Sequence, residues 1–184
     1  QMLREMRSAF AVIFGMFVSM LIVMMGLDIY VMCQNVNIEN KADTKFAYMY
    51  TYKYPTEEVP DGGEEAFGKT LKKERLGYNL DVTLLGIHDD NPYFDAKVED
   101  GKNKIVISTA VAQKYNVGEG DVFVLNDEET DTKYAFDIVG IAQYSSSLYI
   151  FMDIDSMREL FHEGSDYYNI VFSDKSFLFI NQFL

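Results

Sequence analysis

The sequence predicts an α+β protein: one membrane-spanning helix near the N-terminus, followed by a mixed α/β domain. Three observations carry this. Ser8–Leu27 passes twenty residues without a charge. The rest of the chain is built of short β-branched and aromatic runs separated by Gly, Pro and Asp turns. Between those runs, Thr109–Asn116 and Asp153–His162 carry helical spacing and start signals.

At 1.5 Å per residue a helix over Ser8–Leu27 spans about 30 Å, the thickness of the bilayer hydrocarbon core. Ala9, Ala11, Gly15, Ser19 and Gly26 interrupt the large side chains, as in helices that pack on other membrane helices. Arg4 and Arg7 flank one end and Asp28 the other. The positive-inside rule therefore puts the N-terminus in the cytoplasm and the chain beyond about Val31 outside. A cleaved signal peptide has a shorter apolar core and a small-x-small site, and none follows Gly26 before Cys33. A buried helix of a water-soluble fold would show a polar stripe, and this run has none. Residues 1–35 are thus a cytoplasmic flank and span, and residues 36–175 an extracytoplasmic α/β domain. The apolar tail "SFLFINQFL", residues 176–184, reads either as the start of a second span or as a last strand.

Within the domain, Lys45–Tyr54 is aromatic and reads as a strand, and Pro55–Gly63 as an acidic loop. Glu64–Leu76 reads as a short helix weakened by Gly68. Tyr78–Ile87 is a strand, and His88–Phe94 a turn. Asn103–Ser108 is a buried strand, with Ser108 as N-cap of the helix after it. Val117–Leu125 is a turn into a strand, Asn126–Lys133 a polar hairpin tip, and Tyr134–Ala142 the partner strand. Leu148–Asp153 is another strand. Asp153–His162 is a helix with a capping box from Ser156 to Glu159, turning Met157, Leu160 and Phe161 to the core. Tyr167–Asp174 closes the domain as a strand.

Charge excludes several functions. With 29 acidic against 16 basic residues, the net charge is −13. Nucleic acid is not a partner, since it demands clustered cations, and the domain does not lie flat on anionic lipid. Membrane lipid is a partner of the span alone. One cysteine, Cys33, makes no intrachain disulfide, and two histidines, His88 and His162, make no zinc site. Cysteine usage leaves the compartment open.

"GEEAFGKT", Gly63–Thr70, fits the phosphate-binding spacing G-x-x-x-x-G-K-[ST], on Gly63, Gly68, Lys69 and Thr70. A phosphate loop must follow a buried strand and open a helix. Here two prolines and three acids fill the nine residues before Gly63. Glu64 and Glu65 would repel phosphate, and Phe67 is too bulky for a tight curl. Asp153, at the end of an apolar run, is a helix start rather than a magnesium ligand. The match is false, and the stretch reads as an exposed outer loop entering a short helix. No cofactor-binding residue follows from it.

No catalytic residue and no metal ligand set emerges. His88–Asp95 lacks the spacing of an EF-hand loop and reads as a solvated turn, as does the acidic tip Asp127–Asp131. His162 sits where a helix ends, facing its dipole. Ser145–Ser147 reads as a loop. Seven of ten methionines lie in or beside the span, so they are packing material rather than a metal site.

Asn103–Leu125, then Tyr134–Tyr144, then Ile150–Phe161 together resemble the extracytoplasmic domain of FtsX/MacB-type ABC transporter permeases. The matching positions are Ile107, Ala112, Lys114, Gly118, Gly120, Asp121, Val139, Gly140 and Ile141, and Arg7–Gly15 resembles the family's first membrane helix. Independently of the family, Gly118 and Gly120 suit positive φ in a tight turn, and Asp121 can cap its amides. The resemblance implies a domain of the MacB periplasmic-core type on a permease subunit that is not itself an enzyme. It implies a separate cytoplasmic ABC ATPase, a second permease copy, and an extracellular protein or peptide ligand to which the domain relays ATP-driven motion. The family's later membrane helices would follow Leu184, and the long coiled-coil stalk of some members is absent. The acidic surface fits a cationic ligand such as an antimicrobial peptide. The alternative is a membrane-anchored extracellular binding or adhesion module with no ABC partner.

Overall fold

The computed structural model describes residues 2–53, 58–75 and 77–177, and it divides into two units, Gln1–Glu39 and Asn40–Leu184. Helix α1 spans Met2–Asp43, 42 residues, about 60 Å at the α-helical rise. Every residue from Ser8 to Ile38 is exposed, and Ser8–Asp43 is long and apolar enough to cross a membrane. Ser19 Oγ donates to Gly15 O at 2.8 Å, so its hydroxyl is satisfied within the apolar stretch.

The second unit is built on eight strands: β1 Tyr48–Thr51, β2 Gly63–Arg75, β3 Tyr78–Ile87, β4 Lys104–Ser108, β5 Val122–Asp127, β6 Thr132–Ala142, β7 Tyr149–Asp153 and β8 Ile170–Ser173. Two helices join them, α2 Thr109–Tyr115 and α3 Ile154–Phe161. The strand order is β1-β8-β2-β3-β7-β4-β6-β5, and β5 returns to β2 through one bridge, Lys72↔Asn126. Six strands thus close on themselves. β3–β7 and β4–β6 run parallel, and β4–β7 antiparallel.

Strand alternation sorts the apolar residues into two cores. Phe67, Leu71, Val82, Leu84, Ile105, Ile107, Phe123, Leu125, Phe136, Ile138, Ile150 and Met152 fill the closed interior, with Val111 of α2 and Ile154 and Met157 of α3. Their alternating neighbours Leu85, Val106 and Phe151 face outward into a second core. There the extended segment bearing Tyr93, Phe94, Ala96 and Val98 covers them. Burial on both faces is why Leu84–Ile87 of β3, Ile105–Ile107 of β4 and Ile150–Met152 of β7 read as unbroken apolar runs. At Gly86 a Cβ would lie 3.2 Å from Ile154 Cα, so glycine there lets α3 sit directly on β3.

Four expectations are corrected. Of the Glu64–Leu76 stretch expected as a helix, Glu64–Arg75 is strand, and Gly63–Thr70 is not an outer loop: both belong to β2, while Leu76 lies outside the described residues. Gly63–Ala66 pairs with β8 and Phe67–Arg75 with β3, so two ladders outweigh the helix propensity of the Lys/Glu run. Where β8 leaves β2, the Asn169 amide continues the ladder, accepting from Gly68 N at 2.7 Å and donating to Gly68 O at 2.8 Å. Second, the cap of α3 is Asp153, whose Oδ2 accepts from Ser156 N at 2.8 Å. Ser156 Oγ instead accepts from Gly101 N at 2.9 Å. Third, His88–Asp95 is only partly solvated: Asp89 and Asp90 are exposed, but Asn91, Tyr93 and Phe94 are buried. Fourth, Gly120 takes a positive φ of 89° but Gly118 does not. The turn is held by Gly118 N donating to Asp121 Oδ2 at 2.8 Å. Ser108 caps α2 as expected, its Oγ accepting from Val111 N at 3.3 Å. Of the tail 176–184, residues 178–184 lie outside the described residues.

Candidate functional site

β2 and β5 share only one backbone bridge, so side chains complete the rest of their seam. Lys73 Nζ donates to Val124 O at 2.9 Å and lies 4.4 Å from the Phe123 ring centroid. Burial pushes its ammonium pKa down. Lys72 pairs with Asp81 and lies 3.9 Å from Glu128. Lys69 Nζ lies 3.2 Å from Asp127 Oδ2, 3.6 Å from Glu129 Oε2 and 5.0 Å from the Phe161 centroid.

Beside this seam opens a groove of about 550 Å³. Its floor is the Phe67–Thr70 stretch of β2. One wall is the β5–β6 tip, Asp127–Glu129, and the other carries Glu163, Tyr167 and Asn169. Phe67 stacks edge-on to Tyr167 at 4.9 Å, which fixes the apolar end.

The tip expected to be solvated is so only beyond Asp127: Asp127 ends β5 and is the groove's deepest charge, 2% exposed, whereas residues 128–131 are exposed. The β5–β6 turn puts it there: its Oδ1 accepts from Glu129 N at 3.0 Å, a local turn bond that aspartate favours. Its Oδ2 is paired with the Lys69 ammonium at 3.2 Å. Burial pushes the Asp127 carboxyl up, but the Glu129 amide and the Lys69 ammonium outweigh it, and the pKa lies below the ordinary value. Burial likewise pushes Lys69 down, and Asp127 and Glu129 outweigh it, so its pKa is raised.

A depressed carboxylate stabilises the fold above its unfolded pKa of about 4 and loses that contribution as pH falls through the folded value. A raised lysine stabilises below about 10.4 and loses it as pH rises further. The pair's contribution is therefore flat across neutral pH. Urea unfolding of wild type and Asp127→Asn should differ by a constant amount from about pH 5 to 9 and converge below about pH 4. A difference that grows on acidification would contradict the assigned direction.

Gly63, Gly68, Lys69 and Thr70, which fit the phosphate-loop spacing, all lie along one extended strand. Lys69 sits opposite Leu84 and Thr70 opposite Thr83. A phosphate cradle curls consecutive amides about one point; strand amides alternate between sides. Lys69 has its charge committed to Asp127 and Glu129.

A second charged cluster escaped the sequence reading. Arg158 of α3, its side chain 6% exposed, donates from Nε to Tyr167 O at 2.8 Å, from NH1 to Asp155 at 3.0 Å and from NH2 to Glu65 Oε1 at 3.1 Å. His88 Nε2 meets the same Glu65 oxygen at 3.0 Å. Arg158 and Glu65 stand 93 residues apart, and no local pattern announces such a pair. The remaining candidates are structural in their surroundings. Ser145 donates from N and Oγ to Asp43 at 2.7 and 2.6 Å. His162 is the left-handed C-cap of α3, with φ 59°, and Cys33 is exposed on α1. Among the described residues no group of three or more His, Cys, Asp or Glu is placed to hold a metal.

No family model matches the sequence, and no curated protein matches it. Among the solved structures similar to it are two domains of transporter proteins. The periplasmic region of MacB from Actinobacillus actinomycetemcomitans aligns at 10% identity over 70% of this chain and 74% of its own, with a TM-score of 0.46. The extracellular domain of the noncanonic ABC-type transporter YknZ from Gram-positive bacteria aligns at 17% identity over 70% of this chain and 82% of its own, with a TM-score of 0.44.

Proposed function

We propose that this chain is the first membrane helix and outer domain of an ABC-type permease subunit. The outer domain relays conformational change driven by a cytoplasmic ATPase to an external protein or peptide, and the chain itself is no enzyme. One observation carries the reading. The residues that resemble such permeases, Asn103–Leu125, Tyr134–Tyr144 and Ile150–Phe161, form one structural block: β4, α2, the Gly120–Asp121 turn, β5, β6, β7 and α3. That block sits in a sheet unit preceded by a lipid-length apolar helix, and the acidic excess suits a cationic external ligand better than a nucleotide.

The reading requires the sheet unit to face outward. In a Cys33→Ser/Asp89→Cys variant expressed in cells, a membrane-impermeant maleimide should label the protein without lysis, since Asp89 is exposed. Purified from its native membrane in mild detergent, the full chain should bring with it a second chain that hydrolyses ATP. Labelling only after lysis would refute the orientation. Outward labelling with no ATPase would leave a membrane-anchored module and remove the permease assignment.

A further inference from the structure

β1, Tyr48–Thr51, is the outermost strand of its sheet, and among the described residues it pairs with β8 alone. Tyr52 N donates to Asn169 O at 2.8 Å, one step beyond the Thr51↔Ile170 pair. Backbone groups alternate in direction along a strand. Tyr50 and Tyr48 therefore turn theirs to β8, and Met49 and Thr51 turn theirs away. The amides and carbonyls of Met49 and Thr51 form a row with no strand opposite them among the described residues. At the other end of the strand order, β5 bridges back to β2, so the open edge is β1.

Proteins blunt such edges with proline, bulges or charge. Inside β1 stand only Tyr, Met, Tyr and Thr, in unbroken register with β8. Both faces are open, with Tyr48 43% and Met49 45% exposed. Tyr48 and Tyr50 stack with ring centroids 6.1 Å apart, an aromatic surface that suits β-branched residues across the edge.

Charge says which strand fits. The chain has 29 acids against 16 bases, yet Thr44–Thr56 holds Lys45 and Lys53 and no acid. Both lysines are exposed, and at even spacing they share the strand face of Met49. Charges more than about 8 Å away are screened at physiological salt, so a strand laid along β1 meets these lysines rather than the net charge. A second copy of β1, antiparallel with Met49 on Met49, would set Lys45 opposite Lys53 twice. Like charges directly opposite are destabilising. An acid at each end of the added strand turns both repulsions into attractions, so the same lysines select against one partner and for another.

We propose that β1 is an interaction edge that takes an extended, acid-flanked segment of another protein as an added antiparallel strand. The edge stands independently of the permease reading, which decides only the side of the membrane on which that partner lies.

The test uses the full chain in nonionic detergent, titrated by calorimetry with the peptide Glu-Thr-Thr-Val-Thr-Val-Thr-Thr-Glu. Laid along residues 45–53, it sets valines opposite Tyr48 and Tyr50 and glutamates opposite the two lysines. It should bind with a Kd of about 1 mM or tighter. A peptide with lysine at both ends should bind at least about tenfold more weakly, and one with proline at its third, fifth and seventh positions should not bind. Met49→Pro removes a donor that faces away from β8, so the β1–β8 ladder is kept and binding should be lost. Should that variant unfold, the exposed pair Lys45→Glu/Lys53→Glu reports instead, by reversing the preference between the glutamate-ended and lysine-ended peptides. A lysine pair with only a structural role would not reverse it. No binding of the glutamate-ended peptide by wild type overturns the proposal, and equal binding of the proline peptide overturns strand addition. Equal binding of the lysine-ended peptide overturns the acidic partner. A dimer in detergent that Met49→Pro abolishes gives the edge to a second copy and also overturns it. If the peptide arms fail while Asp89→Cys labels from outside and an ATPase copurifies, the edge falls and the permease reading stands. The reverse pattern keeps the edge and removes the reading.

Discussion

Phe94→Ala is expected to destabilise the sheet unit by about 3–5 kcal/mol, the cost of emptying a buried aromatic site. Phe94 is 6% exposed and stands at the centre of the second core. Its ring lies 5.1 Å from Phe151, 5.1 Å from Phe172, 5.6 Å from Tyr144 and 5.9 Å from Phe46. These rings come from β7, β8, the loop after β6 and the segment before β1. One side chain therefore joins four parts of the chain, and no single neighbour can collapse into the space it leaves. Edge-to-face pairs add about 0.5–1.5 kcal/mol beyond burial, so Phe94→Leu should recover most but not all of the loss. In a unit of this size, a loss of about 4 kcal/mol lowers Tm by roughly 10 °C. Tyrosine near-UV circular dichroism reads this directly, since the chain has 13 tyrosines and no tryptophan. Tyr78→Ala, at a site 74% exposed, should shift stability by less than about 0.5 kcal/mol. Equal losses from both substitutions would contradict the placement of Phe94.

The contrast between Phe94 and β2 shows what could be read from the residues alone. The runs of β3, β4 and β7 are apolar because both of their faces are buried, and a doubly buried strand announces itself without its partners. Ser108 and Asp121 each act on an amide three residues away, so their roles are local and legible. β2 is different. Its Lys/Glu sequence has helical propensity, and what makes it a strand is β8, about 100 residues later, together with β3. Phe94 sits in a turn-rich stretch of Asp, Asn and Pro whose local chemistry says solvent. Only the outer face of β7 and β8, unknown to that stretch, makes it core. The groove at Asp127 needs the closure of β5 onto β2. That is a non-local event, and the acidic tip alone reads as an ordinary hairpin end.

Arg158→Met should cost about 3 kcal/mol, near the lower end for removing one partner of a buried ion pair. The side chain is 6% exposed and Glu65 23%, so Glu65 keeps some access to water and the full penalty is not reached. Three acceptors lose the Arg158 donor at once: Glu65, Asp155 and the Tyr167 carbonyl, and Glu65 keeps only His88 Nε2 at 3.0 Å. Asp155 is 71% exposed and rehydrates at little cost. The half-buried Tyr167 carbonyl and Glu65 carry most of the loss, since a largely desolvated acceptor that loses a donor costs about 1–3 kcal/mol. Glu65→Gln removes the stranded charge. If the main cost of Arg158→Met is that charge, the double variant should be more stable than the sum of the single losses by at least about 1 kcal/mol, measured as a coupling energy in urea. Simple additivity would mean that Arg158 acts through its packing and its bond to Tyr167 O alone. The coupling also bears on the groove. Tyr167 forms part of its wall, and its carbonyl is held by Arg158 Nε. Arg158→Met should therefore loosen the wall opposite Asp127 as well as weaken the fold.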